Sequence, residues 1–256
     1  MVETTWVDQA HYLHDVGSTN DAALSRASHS SENTTELFVT DHQPSGRGRG
    51  ANTWWSPPGA LAFSLLTRGM AIPVDRLAQA SLAVGVAICE AIEEFLPVEV
   101  QLKWPNDVFI EGRKACGVLI ESPGSGHRRL VIGVGINVNN SVRDAPEELR
   151  ETAIGMVDAV SRSPHEGPAP VEFDRTAVLA ACVRLIGERL AMLENDDRRL
   201  PQLWRTRSLL TGRQVKIRLP TRDVAGVVES IADDGALVVS TQGGVERCYG
   251  GVVAEW

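Results

Sequence analysis

The segment Gln43-Pro44-Ser45-Gly46-Arg47-Gly48-Arg49-Gly50 runs almost directly into Trp54, Trp55, Ser56 and Pro57. Alternating glycine and arginine lets a backbone fold tightly around an anion while presenting two guanidinium groups that keep their charge at neutral pH. Such a loop can clamp a carboxylate or a phosphate. It is not a Walker-type loop, because no Gly-Lys-Ser/Thr closes it. A second segment, Lys103-Trp104-Pro105-Asn106-Asp107, is followed seven residues beyond the aspartate by Lys114, which opens the run Lys114-Ala115-Cys116-Gly117-Val118-Leu119. A lysine at the start of an otherwise apolar strand is costly unless its amine meets an anion or water. The third segment, Ile132-Gly133-Val134-Gly135-Ile136-Asn137-Val138-Asn139, has no dinucleotide fingerprint, since no helix pattern follows directly. Taken singly, each segment also has a plainer reading: a solvated basic loop, a Pro-Asn-Asp turn, and a glycine-weakened strand.

The elements that must position these residues are read from periodicity. Ser18-Thr19-Asn20-Asp21 has the form of a helix start, with serine and an acid in capping-box spacing, and predicts a helix over residues 19–28. Strands are expected over residues 36–40 and 60–66, with the glycine-arginine loop (44–53) between them. Leu77, Val84, Ile88, Ala91 and Phe95 fall at helical spacings, so residues 76–95 predict a long amphipathic helix. An antiparallel meander follows, with strands over 98–104, 108–110, 114–121 and 129–138 separated by turn-rich segments. In its last strand Leu130, Ile132, Val134, Ile136 and Val138 share one face, leaving Gly133, Gly135 and Asn137 on the other. One face is core; the other is bare enough for a ligand to approach the backbone. Helices are expected over 146–156 and 172–193, with a proline-rich loop at 161–170. From Gly212 onward, short strand patterns at 214–219, 224–231, 236–241 and 245–249 mark a small all-β domain. The boundary near Leu209 divides residues 1–208 from 209–256.

A chain of 256 residues with 43% hydrophobic content can bury a sizeable core in one large and one small domain. Its longest apolar stretches, such as 82–92, are interrupted well before the length of a membrane span. The first fourteen residues lack the progression of a secretory signal, so a cytoplasmic protein is expected. Cys89, Cys116, Cys182 and Cys248 lie too far apart for a zinc site or redox pair and read as buried thiols. A formal net charge of -8 argues against broad nucleic-acid binding, so phosphate chemistry needs locally gathered cations. Lys103, Lys114 and Lys216 are the only lysines, and arginine supplies nearly all the positive charge.

Ser18-Thr19-Asn20, the Gly46-Arg47-Gly48-Arg49 loop with Trp54, the Lys103-to-Asp107 segment with Lys114, and Gly133 to Asn137 occur in one order. That order and spacing resemble the biotin–protein ligases. The resemblance spans nearly the whole chain, because Gly226 and Gly250-Gly251-Val252 are similar to the small SH3-like barrel of that family. It implies an α/β fold: an α+β mixed-sheet, class II synthetase-like catalytic domain with a C-terminal SH3-like β-barrel. The implied activity is ATP-dependent activation of biotin to biotinyl-5'-AMP, with Mg²⁺, and transfer to a lysine of the biotin carboxyl carrier domain of a carboxylase.

Residue by residue, the resemblance implies that Ser18, Thr19 and Gln43 hydrogen-bond the ureido ring of biotin. Asn20 and the Gly46-to-Arg49 loop, Arg47 included, would assist. Arg49 and Lys114 would face the biotin carboxylate and the ATP α-phosphate. Trp54 would wall the nucleotide side and Asn137 contact adenine, with Asn106 and Asp107 beside the reacting phosphate. Gly117 and Gly133 would allow close ligand approach, and no metal ligand is assigned. These residue types suit the chemistry. A carboxylate attacking an anionic phosphate needs fixed cations to offset repulsion. The mixed anhydride then needs shelter from water, which the 43–53 loop can supply by ordering on ligand. Asp107 is the candidate to orient or deprotonate the acceptor lysine.

The family commonly continues the loop with glycine and then a basic residue, where this chain has Ala51 and Asn52. About seventeen residues precede Ser18, against about 40 or more for an independently folding domain. The resemblance therefore points to a ligase without operator binding, and no DNA partner is expected. A lipoate ligase or octanoyltransferase is the second enzymatic reading, and a catalytically silent biotin sensor the non-enzymatic one. The presence of Lys114, Arg49 and Asp107 weighs against a sensor. A homodimer could form if a meander strand beside Gly133 paired across a two-fold axis.

Overall fold

The computed structural model describes residues 6–70, 72–73, 76–124, 128–160 and 172–256. The proline-rich loop expected at 161–170 lies outside them. Among the described residues a seven-stranded mixed sheet forms the large domain. Its strands are β1 (Gln9–Leu13), β2 (Glu36–Thr40), β3 (Leu61–Leu66), β4 (Val100–Lys103), β5 (Asp107–Ile110), β6 (Arg113–Glu121) and β7 (Val131–Ile136), in the order β1-β2-β3-β7-β6-β5-β4. Only the β1–β2 pair is parallel. Gly133 lies between β3 and β6, so no strand beside it is open to a second chain. The free edge on that side is β1, three strands away.

Alternation of side chains along the strands separates two faces. Leu61, Phe63 and Leu65 of β3 and Ile132, Val134 and Ile136 of β7 join the main core. Two long helices, α2 (Leu77–Glu93) and α5 (Arg175–Glu194), close over that face. Burying each large aliphatic side chain here contributes roughly 1.5–3 kcal/mol. The opposite face is covered at one end only, where α1 (Thr19–Ala27) packs Ala23 and Ala27 on Phe38, Leu66 and Val131. Toward β4 the same face stays open. Glu36, at the start of β2, is fully buried and accepts from Arg26 while contacting His11 of β1, which ties α1 and β1 together. Burial pushes its pKa up, but these hydrogen bonds outweigh that and hold it below the ordinary value.

Several elements differ from the sequence reading. β1 is an edge strand with little burial, so no alternation announced it. The helix expected over 146–156 is split into α3 (Glu147–Arg150) and α4 (Met156–Val160). Between them the Thr152 carbonyl and Ile154 amide pair with the backbone of Lys114, at 2.8 and 3.0 Å. A further helix, α6 (Arg199–Thr206), keeps Pro201 within its first turn, where a missing N–H costs nothing.

The small domain is an antiparallel sheet of β8 (Gln214–Arg218), β9 (Asp223–Ile231), β10 (Leu237–Thr241), β11 (Gly244–Cys248) and β12 (Val252–Glu255), in the order β11-β10-β9-β8-β12. The expected barrel is therefore open, because its outer strands β11 and β12 are not paired with each other. Trp104 docks this domain on the large one by donating from Nε1 to the Gly235 carbonyl at 3.0 Å, and Gln79 donates to the Asp233 carbonyl at 2.9 Å. All four cysteines are free and buried, and burial pushes the Cys182 thiol up to about 12. No described helix is long and apolar enough to cross a membrane.

Candidate active site

The open face of the sheet floors a cavity of about 670 Å³, bounded by the start of α1, the glycine-arginine loop and residues of β8 and β12. At one end stands Ser18, the N-cap of α1, whose hydroxyl makes no cap hydrogen bond. The local capping-box pattern is thus not used. Gln43, far along the chain, caps the helix instead: its Oε1 accepts from the Thr19 amide at 2.8 Å and the Thr19 hydroxyl at 3.1 Å. Ser64 of β3 hydrogen-bonds Thr19 Oγ1 and Asn20 Oδ1 at 2.7 and 2.6 Å. This end of the cavity is therefore a neutral, ordered set of hydroxyl and amide groups.

The bare glycines of β7 make room for side chains of the site itself. A Cβ on Gly133 would lie 2.1 Å from Asn20 Oδ1, and one on Gly135 would lie 2.3 Å from the Trp54 indole nitrogen. A Cβ on Gly117 would meet Trp54 and Lys114 at 3.3 and 3.4 Å. Trp54 accordingly lies against the sheet between β6 and β7 and lines the cavity. Asn137, just beyond β7, is buried and accepts from Asn140 Nδ2 at 3.0 Å, and it is not on the cavity wall.

The glycine-arginine loop is a small hairpin. Gly48 donates to the Asn52 carbonyl and Trp54 to the Gly46 carbonyl, both at 2.8 Å. Gly46 has no space for a Cβ, which would sit 2.6 Å from the Trp54 carbonyl oxygen. Arg47 turns away from the cationic end and grips Glu121 through two hydrogen bonds of 3.0 and 2.6 Å, with Asp21 at 2.9 Å. Its pKa is raised, first by the Glu121 hydrogen bond. Asn20 Nδ2 joins the same carboxylate at 2.8 Å.

Arg49 points the other way, donating to Asn106 Oδ1 at 3.2 Å and to the Gly251 carbonyl of the small domain at 3.4 Å. Burial lowers its pKa, against the pull of Asp107. Asn106 is held in turn by donating to the Val118 carbonyl at 2.7 Å. Lys114 Nζ forms an ion pair with Asp107 Oδ1 at 2.7 Å. Nζ is also 5.7 Å from the centre of the Trp54 ring. The cavity therefore offers neutral polar groups at one end and Arg49 with Lys114 at the other. That arrangement suits a polar ring system whose carboxylate meets a phosphate.

Of the residues singled out in the sequence, all but Asn137 line this cavity or, for Gly46, shape the loop above it. Ser64, Asp21 and Glu121 were not foreseen. For Ser64 and Glu121 the signal was available, since strand parity puts them on the same face as Gly133 and Gly117.

Comparison with known proteins agrees with this geometry. Residues 13–139 match the Biotin/lipoate A/B protein ligase family, and residues 210–254 match the Biotin protein ligase C terminal domain. The biotin–[acetyl-CoA-carboxylase] ligase of Mycobacterium tuberculosis is 31% identical over 92% of this chain and 84% of its own length. The bifunctional ligase/repressor of Bacillus subtilis is 28% identical over 97% of this chain and 74% of its own length. Among solved structures, the Aquifex aeolicus biotin protein ligase in complex with biotin and ATP superposes with a TM-score of 0.80 at 28% identity, covering 95% of this chain and 97% of that one. By sequence and by fold, the chain belongs to the biotin protein ligases of the biotin/lipoate A/B ligase family.

Proposed function

We infer that this protein joins biotin to protein in two steps, forming biotinyl-5'-AMP from biotin and ATP and then passing the biotinyl group to a carrier lysine. The observation that carries the reading is a single cavity in which Ser18, Thr19 and Gln43 face Arg49 and Lys114 across a glycine floor. The neutral end suits the ureido ring. Arg49 and Lys114 offset the charge of a carboxylate approaching an α-phosphate. Trp54 gives the nucleotide a flat apolar wall. Mg²⁺ would enter with the triphosphate of ATP and offset part of its charge.

The names of the relatives point to the biotin carboxyl carrier domain of acetyl-CoA carboxylase as acceptor. Asp107 supports a role in that step, because its carboxylate stands in the cavity beside Lys114 and can receive the N–H of an arriving amine. Four unpaired cysteines and the need for ATP fit the cytoplasm. With a formal charge of -8, no DNA partner is proposed. The decisive experiment is ATP–pyrophosphate exchange with biotin, lipoate and octanoate in turn, followed by mass analysis of a supplied carrier domain. Biotin alone should support exchange and add one biotinyl group. Exchange with lipoate or octanoate would move the chain to the lipoate branch, and binding without exchange would make it a sensor.

A further inference from the structure

We propose that Lys103, clamped by Phe109 and Trp256, is the positive charge that receives the β- and γ-phosphates of ATP and steadies pyrophosphate as it leaves. The assignment rests on the ligase reading above and concerns a residue which that reading leaves without a task. Lys103 ends β4 directly opposite Asp107 of β5, so both side chains rise from the open face of the sheet into the cavity. Its Nζ lies 4.5 Å from the centre of the Trp256 ring and 5.3 Å from that of Phe109. The two rings meet edge to face, 5.5 Å apart. Ring faces attract an ammonium but do not neutralise it. Among the described residues no carboxylate stands within ion-pair distance of Lys103, whereas Lys114 has Asp107 and Arg47 has Glu121. Burial, opposed by Asp107, lowers the Lys103 pKa, so an arriving anion would find a poorly solvated charge.

The distribution of charge decides what that anion is. Attack by a biotin carboxylate oxygen forms a bond to the α-phosphorus and breaks the bond from that phosphorus to the bridging oxygen, whose electron pair leaves with pyrophosphate. Arg49 and Lys114 stand where the first bond forms. The departing group is more highly charged than either reactant carboxylate or acyl phosphate, and it needs its own cation. Lys103 lies beyond Asp107 and Lys114 on the side of the small domain, where Arg218 also borders the cavity. A triphosphate laid with its α-phosphate at Lys114 therefore extends toward Lys103. Trp256 belongs to the small domain's side of the molecule, which makes that domain a contributor to the leaving-group pocket.

The test separates the two half-reactions. Lys103→Met removes the charge and keeps an apolar stem between the rings, Lys103→Arg restores charge, and Trp256→Ala removes the clamp. Exchange kinetics give the KM for ATP and for inorganic pyrophosphate, and transfer from chemically prepared biotinyl-5'-AMP to a carrier domain involves no pyrophosphate. Lys103→Met should raise both KM values by about tenfold or more, the scale of one charged contact. Transfer from supplied adenylate should stay within about twofold of wild type, a change of under half a kcal/mol. Lys103→Arg should recover most of the loss, and Trp256→Ala should shift the same two constants by less. An unchanged pyrophosphate KM, an equal fall in both half-reactions, or a rise confined to the KM for the carrier would each overturn the assignment, the last by making Lys103 an acceptor contact. Should the wild type itself show neither half-reaction, it is the ligase reading that fails.

Discussion

Lys114 is fixed from both ends. Its backbone pairs with Thr152 and Ile154, and its ammonium rests between Asp107 and the Trp54 ring. In the proposed reaction a lysine so placed would pre-exist as the counter-charge of the transition state. Lys114→Ala should therefore slow adenylation by about 2–4 kcal/mol in activation free energy, the scale for one such group. Biotin binding should suffer much less. Single-turnover adenylation set beside biotin titration checks this, and a rate within about twofold of wild type would be under half a kcal/mol and would remove Lys114 from the chemistry. Side chains of this kind were legible in the sequence because they break a pattern: a lysine opening an apolar strand, arginines between glycines. Partners that obey the pattern were not. Glu121 reads as an ordinary polar strand end until Arg47, 74 positions away, is seen to grip it.

The hairpin of the glycine-arginine loop shows how an element can be held yet releasable. Arg49 ties it to Asn106 and the Gly251 carbonyl, and Arg47 anchors its other side by reaching Glu121 and Asp21 at the edge of the cavity. That anchorage is half-exposed, so water and salt weaken it. Glu121→Gln and Arg47→Gly should both loosen the loop, leaving adenylate formation partly intact while shortening adenylate retention. Hydrogen exchange across residues 43–53, with and without biotin plus ATP, should show ligand-dependent protection in the wild type. The two variants should exchange faster without ligand. Equal protection in every state, with unchanged adenylate release, would make the segment a fixed wall. The elements themselves were legible where periodicity is strong, as in α2, α5 and the β4–β7 meander, including which face of β7 is bare. Periodicity is silent where a distant strand dictates the backbone. The Ser18 pattern could not reveal that Gln43 would take over as cap, nor could residues 146–156 reveal that Lys114 would interrupt their helix.

At the scale of the molecule, the two domains share the cavity, and Trp104 bolts them together along with Gln79 and Arg205. Its indole is buried, and the Gly235 carbonyl that it meets is buried as well. Trp104→Phe strands that carbonyl and should cost about 1–3 kcal/mol of stability. It should also raise the KM for ATP more than that for biotin, because the neutral end proposed for biotin is built from Ser18, Thr19, Gln43 and Ser64 of the large domain. Denaturant melts beside substrate titrations test both parts, and equal effects on the two substrates would show that the domain is mere support. The composition announced the second domain through its change of texture at Gly212, but its open sheet could not be told from a closed barrel by strand patterns alone. The buried thiols have a practical corollary. Because Cys89, Cys116, Cys182 and Cys248 are all sealed in the interior, with their pKa values raised by burial, the wild-type surface is silent toward maleimides. Ser45→Cys, on the exposed flank of the loop, would then carry the sole reactive handle, and a fluorophore attached there would report the closing of the hairpin turn by turn in an otherwise natural enzyme.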